Sequence, residues 1–311
     1  MSGHDNDAVI AAEEITDDDS SASRTSLASS TTSVASSILE YRQENGRTYH
    51  KYKDGKYILP NDDREKIASV RRVLDVGTGS GIWAIDFGEE HPNVEVIGID
   101  LSAMQPAFVP PNVQFQIDGA EEPWTFSDPF DYIHSRLMTG SISNWEKCVQ
   151  KCYDNLAPGG YLELNETDIA PECDDGTLKE DSAPVRSVRL WYEAMEALGT
   201  PFETFSRMKD VLIKIGFDNV HMQRFKWPTN GWPKDHRYKE TGIWNYQNLA
   251  PNWEWLLMAS LTRELGWTKE EVMILGMEAR QDLGNRSIHA YFNMLVFSSA
   301  SLPLQIGHRK Y

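Results

Sequence analysis

The sequence predicts an α/β domain built on a parallel sheet. Three observations carry this. Apolar runs of strand length alternate with helical stretches from Val73 onward, a glycine-rich turn follows the first of these runs, and 40% of the 311 residues are hydrophobic, enough for a core. The length fits one or two domains.

Residues 1–37 are expected to be disordered and to play no part in the fold. Ser and Thr fill 12 of the 18 positions from Ser20 to Ser37, and seven acids face one base, a net of -6. Such a stretch buries too little apolar surface to offset its ordering entropy, and it reads as a solvated extension open to phosphorylation. Residues 38–60 (ILEYRQENGRTYHKYKDGKYILP) read as an ordered linker or short helix.

The stretch RRVLDVGTGSGIW reads as a buried strand, a glycine turn and a helix start, and the helix IWAIDFGEEH ends at Pro92. VEVIGID is the second strand, VQFQID the third, after the break at Pro110 and Pro111, and FDYIHSRLM the fourth. Ser143 and Glu146 have the S-x-x-E spacing of a capping box, opening a helix that stops at Pro158-Gly159-Gly160. YLELNE is the fifth strand. SVRLWYEAMEALG is a helix stopped by Gly199, and FSRMKDVLIKIG a helix with Phe205, Met208, Leu212 and Ile215 on one face. NVHMQRF is the sixth strand. NWEWLLMASLTRELG carries Trp253, Leu256, Leu257, Leu261 and Leu265 at helical spacing. Thr268 and Glu271 cap a further helix ending near Gly284, and IHAYFNMLVFS is the last strand.

Charge and cysteine usage exclude several classes. With 47 acids against 30 bases the net charge is -17, and the body without the tail keeps about -11, the wrong sign for neutralising nucleic-acid phosphates or anionic membranes. No run approaches the ~18–20 apolar residues of a membrane span. The acidic N-terminus lacks a signal or transit pattern, so the expected location is cytoplasmic, with the nucleus as a second site. Cys148, Cys152 and Cys173 form neither a disulfide framework nor a metal spacing, and are expected to be buried thiols.

The strongest motif is Asp75-Val-Gly77-Thr78-Gly79-Ser-Gly81 after an apolar strand. Glycines let the backbone turn tightly and approach a ligand beside a helix N-terminus. A dinucleotide site has its third glycine three residues beyond the second. Here the spacing is G-x-G-x-G with an acid before it, which resembles motif I of class I S-adenosylmethionine (SAM) methyltransferases, a run that wraps the amino-acid end of SAM. Asp100 closes the second strand, 19 residues after Gly81, where a carboxylate can accept both ribose hydroxyls. Asp118 closes the third, where that family places an acid on the adenine amino group, and LAPGG precedes the fifth.

The resemblance extends over residues 37–297. SSILEYRQENGRTYH, VLDVGTGSGIWAIDF, VIGIDLSAMQPAFVPPNVQFQID, DYIHSRLMTGSISNW, DDGTL, GWPKD with its following helix and RSIHAY together resemble the fungal LaeA-like, or TAM-domain, methyltransferases of secondary metabolism. The resemblance implies a Rossmann-like, seven-stranded, mostly parallel sheet of order 3-2-1-4-5-7-6 with helices on both faces and strand seven antiparallel. It implies SAM as cofactor, held by Asp75, Gly77, Thr78, Gly79, Gly81, Asp100, Leu101, Asp118, Gly119 and Ala120. Tyr41, Arg47 and Tyr49 would belong to an N-terminal cover (38–72) over the cofactor, with Tyr49 in contact. One departure stands out. Relatives carry about twenty further helical residues between the Leu-Pro-Asn-Asp stretch and the first strand, whereas eleven residues separate Asn61 from Val73 here. The expected consequence is a more open pocket, with weaker SAM binding and low turnover.

Methyl transfer from a sulfonium needs alignment more than acid–base help. His134, after the fourth strand, is the candidate catalytic residue. Glu166 and His289 are weaker candidates, and Arg136 could as easily pair a carboxylate. Trp191, Trp244, Trp253 and Trp255 are expected in the core. Two readings follow: an enzyme methylating a small fungal metabolite at O, N or C, without metal or nucleic-acid partners, or a LaeA-like regulator working through protein partners.

Overall fold

In a computed structural model, residues 9–13, 41–44, 47–50 and 70–301 are described. A two-stranded antiparallel hairpin, β1 (Tyr41–Glu44) and β2 (Arg47–His50), precedes the main sheet. The main sheet has seven strands. They are β3 (Arg72–Val76), β4 (Glu95–Asp100), β5 (Val113–Ile117), β6 (Phe130–Arg136), β7 (Leu156–Cys173), β8 (Asp218–Pro228) and β9 (Ala290–Ala300), in the order β5-β4-β3-β6-β7-β9-β8. Counted from the first sheet strand this is 3-2-1-4-5-7-6, as expected, and β9 runs antiparallel to both neighbours. Strands β3, β4, β5, β6 and β7 are parallel, so their carboxyl ends open on one edge, where open α/β sheets bind ligands.

One core holds Leu74, Ile99, Ile133, Leu162 and Leu164 against the helix Trp145–Asp154 and the helix Met208–Ile215. On the other face, Val73, Val96 and Val113 pack with Ala84 of the helix Ile82–Glu90. A third cluster joins Ala183–Leu198, Trp253–Glu264 and Lys269–Gly284 into a helical layer whose centre is Leu257, Leu261 and Val272. Its helices follow β7 and β8, so they project from the carboxyl edge of the sheet. No described helix is long and apolar enough to cross a membrane.

Several local expectations are corrected. The helix at Trp145 is capped by Asn144, whose side chain accepts the Lys147 N–H at 2.9 Å, whereas Ser143 donates its hydroxyl to Glu121 at 2.7 Å. Thr268 and Glu271 do form the reciprocal capping box. The LAPGG stretch is incorporated into an irregular start of β7, with Gly159 at φ +82°. Phe205 heads a 3₁₀ turn before Met208–Ile215, and Phe205, Met208 and Leu212 are buried as expected. Trp253 is core, but Trp244 and Trp255 are exposed, the latter 62%. Cys148 and Cys152 are buried; Cys173 is only half-buried and donates to Asp175.

The expectation that residues 1–37 take no part in the fold also fails at one place. Residues 9–13, four apolar residues and an acid, dock on the loop before the helix His236–Leu249. Ala12 forms an antiparallel bridge with Pro233. The Glu13 N–H donates to Trp232 O at 3.0 Å, and the Lys234 N–H to Ala11 O at 2.9 Å. Lys239 and Arg286 both pair with the Glu13 carboxylate, which these contacts hold below the usual range. The contact is one antiparallel bridge between two irregular segments, flanked by two backbone hydrogen bonds and an ion-pair cluster. Removing residues 1–13 is therefore expected to lower the melting temperature, and Glu13→Gln to reproduce part of the loss, read by differential scanning calorimetry. An unchanged transition after the deletion would show that the docked segment contributes nothing to stability.

Candidate functional site

The loop after β3 is shaped by three left-handed glycines, Gly77 (φ +70°), Gly79 (φ +55°) and Gly81 (φ +76°). That conformation is open to glycine at little cost. Each glycine also answers a particular neighbour. A Cβ on Gly77 would strike the Met138 thioether, and one on Gly81 would strike the ring of Phe115, which also fills the space over Gly98. A Cβ on Gly79 would meet nothing within 4 Å, so this position faces open space at the sheet edge.

The amides of the loop point inward. The N–H groups of Gly77 and Thr78 both donate to Ile99 O at 2.9 Å, that of Gly81 to Thr78 O, and that of Gly79 to the Asp100 carboxylate at 2.9 Å. Asp100 also accepts the Ser102 N–H, and Gln105 Nε2 donates to Gly79 O at 2.6 Å. A phosphate cradle needs such amides aimed at the ligand. Here they are spent on the protein, and the loop is flanked by the carboxylates of Asp75 and Asp100. The arrangement suits a cationic ligand with hydroxyls. Each Asp100 oxygen accepts one N–H and retains a lone pair, because a carboxylate offers about four acceptor sites. By this test the residues fit SAM.

Asp118 is half-buried at the end of β5 and accepts the Gly119 N–H at 2.7 Å. Gly119 O accepts Trp124 Nε1, and Ala120 O accepts Lys151 Nζ, so the backbone of this turn is fixed from outside the motif. Leu101 is 77% exposed, and exposed Ile117 and Leu137 close β5 and follow β6 on the same edge. Leu137 has φ +56°, a strained position for a side chain with a Cβ, next to the Met138 that covers Gly77. Tyr41, Arg47 and Tyr49 lie in the hairpin, and their side chains lie outside the described residues, as does the shortened stretch 61–69.

His134 is not brought to the open edge. In the parallel register it stands beside Asp75, and in-register neighbours on adjacent strands share a face. It is 1% exposed; its Nδ1 lies 2.7 Å from Asp75 Oδ1, its Nε2 faces Asn165 Nδ2 at 3.2 Å, and its ring stacks on Trp83 at 3.8 Å. Burial with both nitrogens engaged removes it from contact with an acceptor. Asp75 is likewise buried, its other oxygen accepting the Thr78 hydroxyl at 2.6 Å.

Glu166 is fully buried, accepting the Met138 N–H at 3.1 Å and the Thr139 hydroxyl at 2.8 Å. Burial pushes its carboxyl up to about 7, against the opposing pull of these hydrogen bonds. His289 is held by Asp175 at 2.5 Å, and its N–H donates to Thr177 Oγ1. Sequence reasoning missed Gln105, Phe115, Met138 and Asn165. Alternation along the third strand marks Phe115 as facing the glycines; the others carry no local signal.

A family profile described as a methyltransferase domain matches residues 44–222. The chain is 37% identical to "Methyltransferase pytC" of Aspergillus terreus, over 86% of this chain and 90% of that one. It is 36% identical to "Secondary metabolism regulator LAE1" of Cochliobolus heterostrophus, over 82% and 93%. It is 31% identical to "Protein-methionine methyltransferase laeA" of Emericella nidulans, over 86% and 78%.

Proposed function

The chain belongs to the methyltransferase-domain family, alongside fungal proteins named as methyltransferases and as secondary-metabolism regulators, and we propose from that premise that it methylates a small molecule. S-adenosylmethionine is its cofactor. The observation that carries the cofactor site is the glycine loop whose amides are turned inward while Asp100 closes its mouth.

The open face of the loop at Gly79 would receive the amino-acid end, with Gly81 shaping the turn, Asp100 would hold the ribose hydroxyls, and Asp118 with Gly119 and Ala120 the base, with Leu101 and Ile117 as apolar walls. When bound, the cofactor supplies a methyl group already activated by the sulfonium charge. What remains for the protein is to align an acceptor and exclude water. No buried base is aimed at the acceptor from β6, because His134 is turned inward. This favours an acceptor that is a nucleophile without proton removal, or one that loses its proton to solvent. Exposed Leu137, which follows β6 and is not assigned to the base, favours an apolar group on the acceptor.

A second reading, regulation through protein partners, is supported by the identity to the LAE1 regulator and by the acidic Ser/Thr-rich extension. Methyl transfer to a protein acceptor would join catalysis to this second reading. Direct contact with nucleic acid is disfavoured by the charge of -17.

Asp100→Ala is expected to weaken SAM by about ten- to a hundredfold, since charge-assisted hydrogen bonds are worth roughly 1.5–3 kcal/mol and water replaces part of the loss. Titration calorimetry on the wild type and the variant tests this. Absence of SAM binding by the wild type would refute the function, and a change below about twofold would place Asp100 outside the site.

A further inference from the structure

One face of the sheet carries a polar chain, buried at Asn165, His134, Asp75 and Thr78, that ends at the glycine loop. The Thr78 hydroxyl donates to Asp75 Oδ2 at 2.6 Å, and Asp75 Oδ1 meets His134 Nδ1 at 2.7 Å. His134 Nε2 meets Asn165 Nδ2 at 3.2 Å, the same amide nitrogen donates to Glu163 Oε1 at 2.8 Å, and the Tyr132 hydroxyl donates to Glu163 Oε2 at 3.0 Å. Four of these residues lie on β6 and β7, two on β3 and its loop.

The chain fixes its own protons. Asn165 cannot turn its carbonyl toward His134 without setting that oxygen against the Glu163 carboxylate, so its nitrogen faces the ring. An amide nitrogen only donates, so Nε2 accepts and Nδ1 carries the hydrogen, which it donates to Asp75. His134 is thus neutral, and Asp75 keeps its negative charge directly beneath the loop. An imidazolium would cancel that charge.

Burying Asp75 and His134 is costly relative to the apolar residues that fill neighbouring positions such as Leu74 and Ile133. The chain ends on Thr78, which is held between two left-handed glycines, one of them facing open space. We propose that His134 is a positioning residue for the amino-acid end of SAM. As the neutral Nδ1–H tautomer it holds Asp75, and through Asp75 it holds Thr78, so that the loop keeps its shape and an uncancelled carboxylate lies under the ammonium and sulfonium charges. Trp83, stacked on the ring with an interplanar angle of 8°, keeps the imidazole in its plane.

This rests on the reading of the loop as a SAM site, and the test separates the two. SAM and 5′-methylthioadenosine share the adenosine and the sulfur, but only SAM has the amino-acid end and the sulfonium. His134→Leu is expected to weaken SAM about tenfold or more while methylthioadenosine changes less than about twofold, because only the charged end is served by Asp75. His134→Asn places an amide nitrogen near the Nδ1 position and should bring SAM back to within about threefold of wild type. Equal losses for both ligands would make the role merely structural, and no loss for either would remove it; both outcomes overturn the proposal. Wild-type protein that binds neither ligand would refute the SAM site itself. If His134→Leu fails to fold, nitrogen-15 spectra of the wild-type imidazoles decide: a hydrogen on Nδ1 alone is expected, and an Nε2–H or doubly protonated His134 overturns the proposal.

Discussion

Gly79→Arg should abolish SAM binding in a protein that still folds. The residue has φ +55°, and a Cβ placed there touches nothing within 4 Å. The arginine side chain would therefore leave the loop into open space at the sheet edge, where the ligand must lie. Left-handed backbone costs an L-residue roughly 1–2 kcal/mol, so a modest drop in melting temperature is expected. Binding suffers far more, because the arm occupies the ligand's volume and sets a cation against a cationic ligand. A loss beyond about a hundredfold is expected, more than about 2.8 kcal/mol on the scale of about 1.4 kcal/mol per decade.

A control exists within the same sheet. Gly159 has φ +82° and also has nothing within 4 Å of its Cβ, but it lies at the start of β7, on the opposite edge. Gly159→Arg carries the same backbone strain without the obstruction and should leave SAM affinity unchanged. Gly81→Ala does not serve, because its Cβ would collide with Phe115 and disturb the fold instead of the ligand. Calorimetry on the two arginine variants decides the matter: if folded Gly79→Arg protein binds SAM as the wild type does, the loop is not the site.

The central strands were legible because they are buried on both faces of the sheet. Val73, Leu74, Val96, Ile97 and Ile99 form short apolar runs bounded by turn residues, and no competing reading of such runs survives a glycine loop between them. Their lateral order is not written in periodicity; it was implied by the resemblance carried by the motifs, and the observed order agrees with it. Three of the misjudged positions share one physical cause, a partner distant in sequence. Ser143 and Asn144 are equally able to cap a helix, and the choice is made by Glu121, which takes Ser143 from a separate loop. The segment 9–13 looks like part of an acidic, featureless extension until the loop 232–234 and two cations, Lys239 and Arg286, are brought to it. From sequence His134 falls just after the fourth strand, which favours an acceptor-facing role, but it lies within β6. Only the parallel register with Asp75 turns it inward. The loop itself was read correctly in outline, but not the inward turn of its amides, since a glycine spacing does not say which way an N–H points.

Glu166→Gln should make the protein more stable above neutral pH and flatten its pH dependence. Glu166 is fully buried with its carboxyl raised from 4.5 to about 7. The folded protein therefore holds this proton more tightly than the unfolded chain does. Between about pH 4.5 and 7 the folded state binds more protons, so stability is greatest below the unfolded value and falls as pH rises through the folded one. Above pH 7 the charged carboxylate is buried at a cost on the order of 3 kcal/mol. Glutamine removes that ionisation and keeps the contacts. Its carbonyl can accept the Met138 N–H, and its amide can donate to the Thr139 oxygen while the Thr139 hydroxyl turns to Thr167 O, already 3.2 Å away. Denaturant unfolding of the two proteins from pH 5 to 8 is the measurement. The curves should lie close together near pH 5 and separate toward pH 8, with the variant the more stable. Parallel curves would mean that Glu166 ionises alike in the folded and unfolded states. A less stable variant at pH 8 would mean that the carboxylate, held by Met138 and Thr139, is what locks the strained turn 137–139 beside the glycine loop.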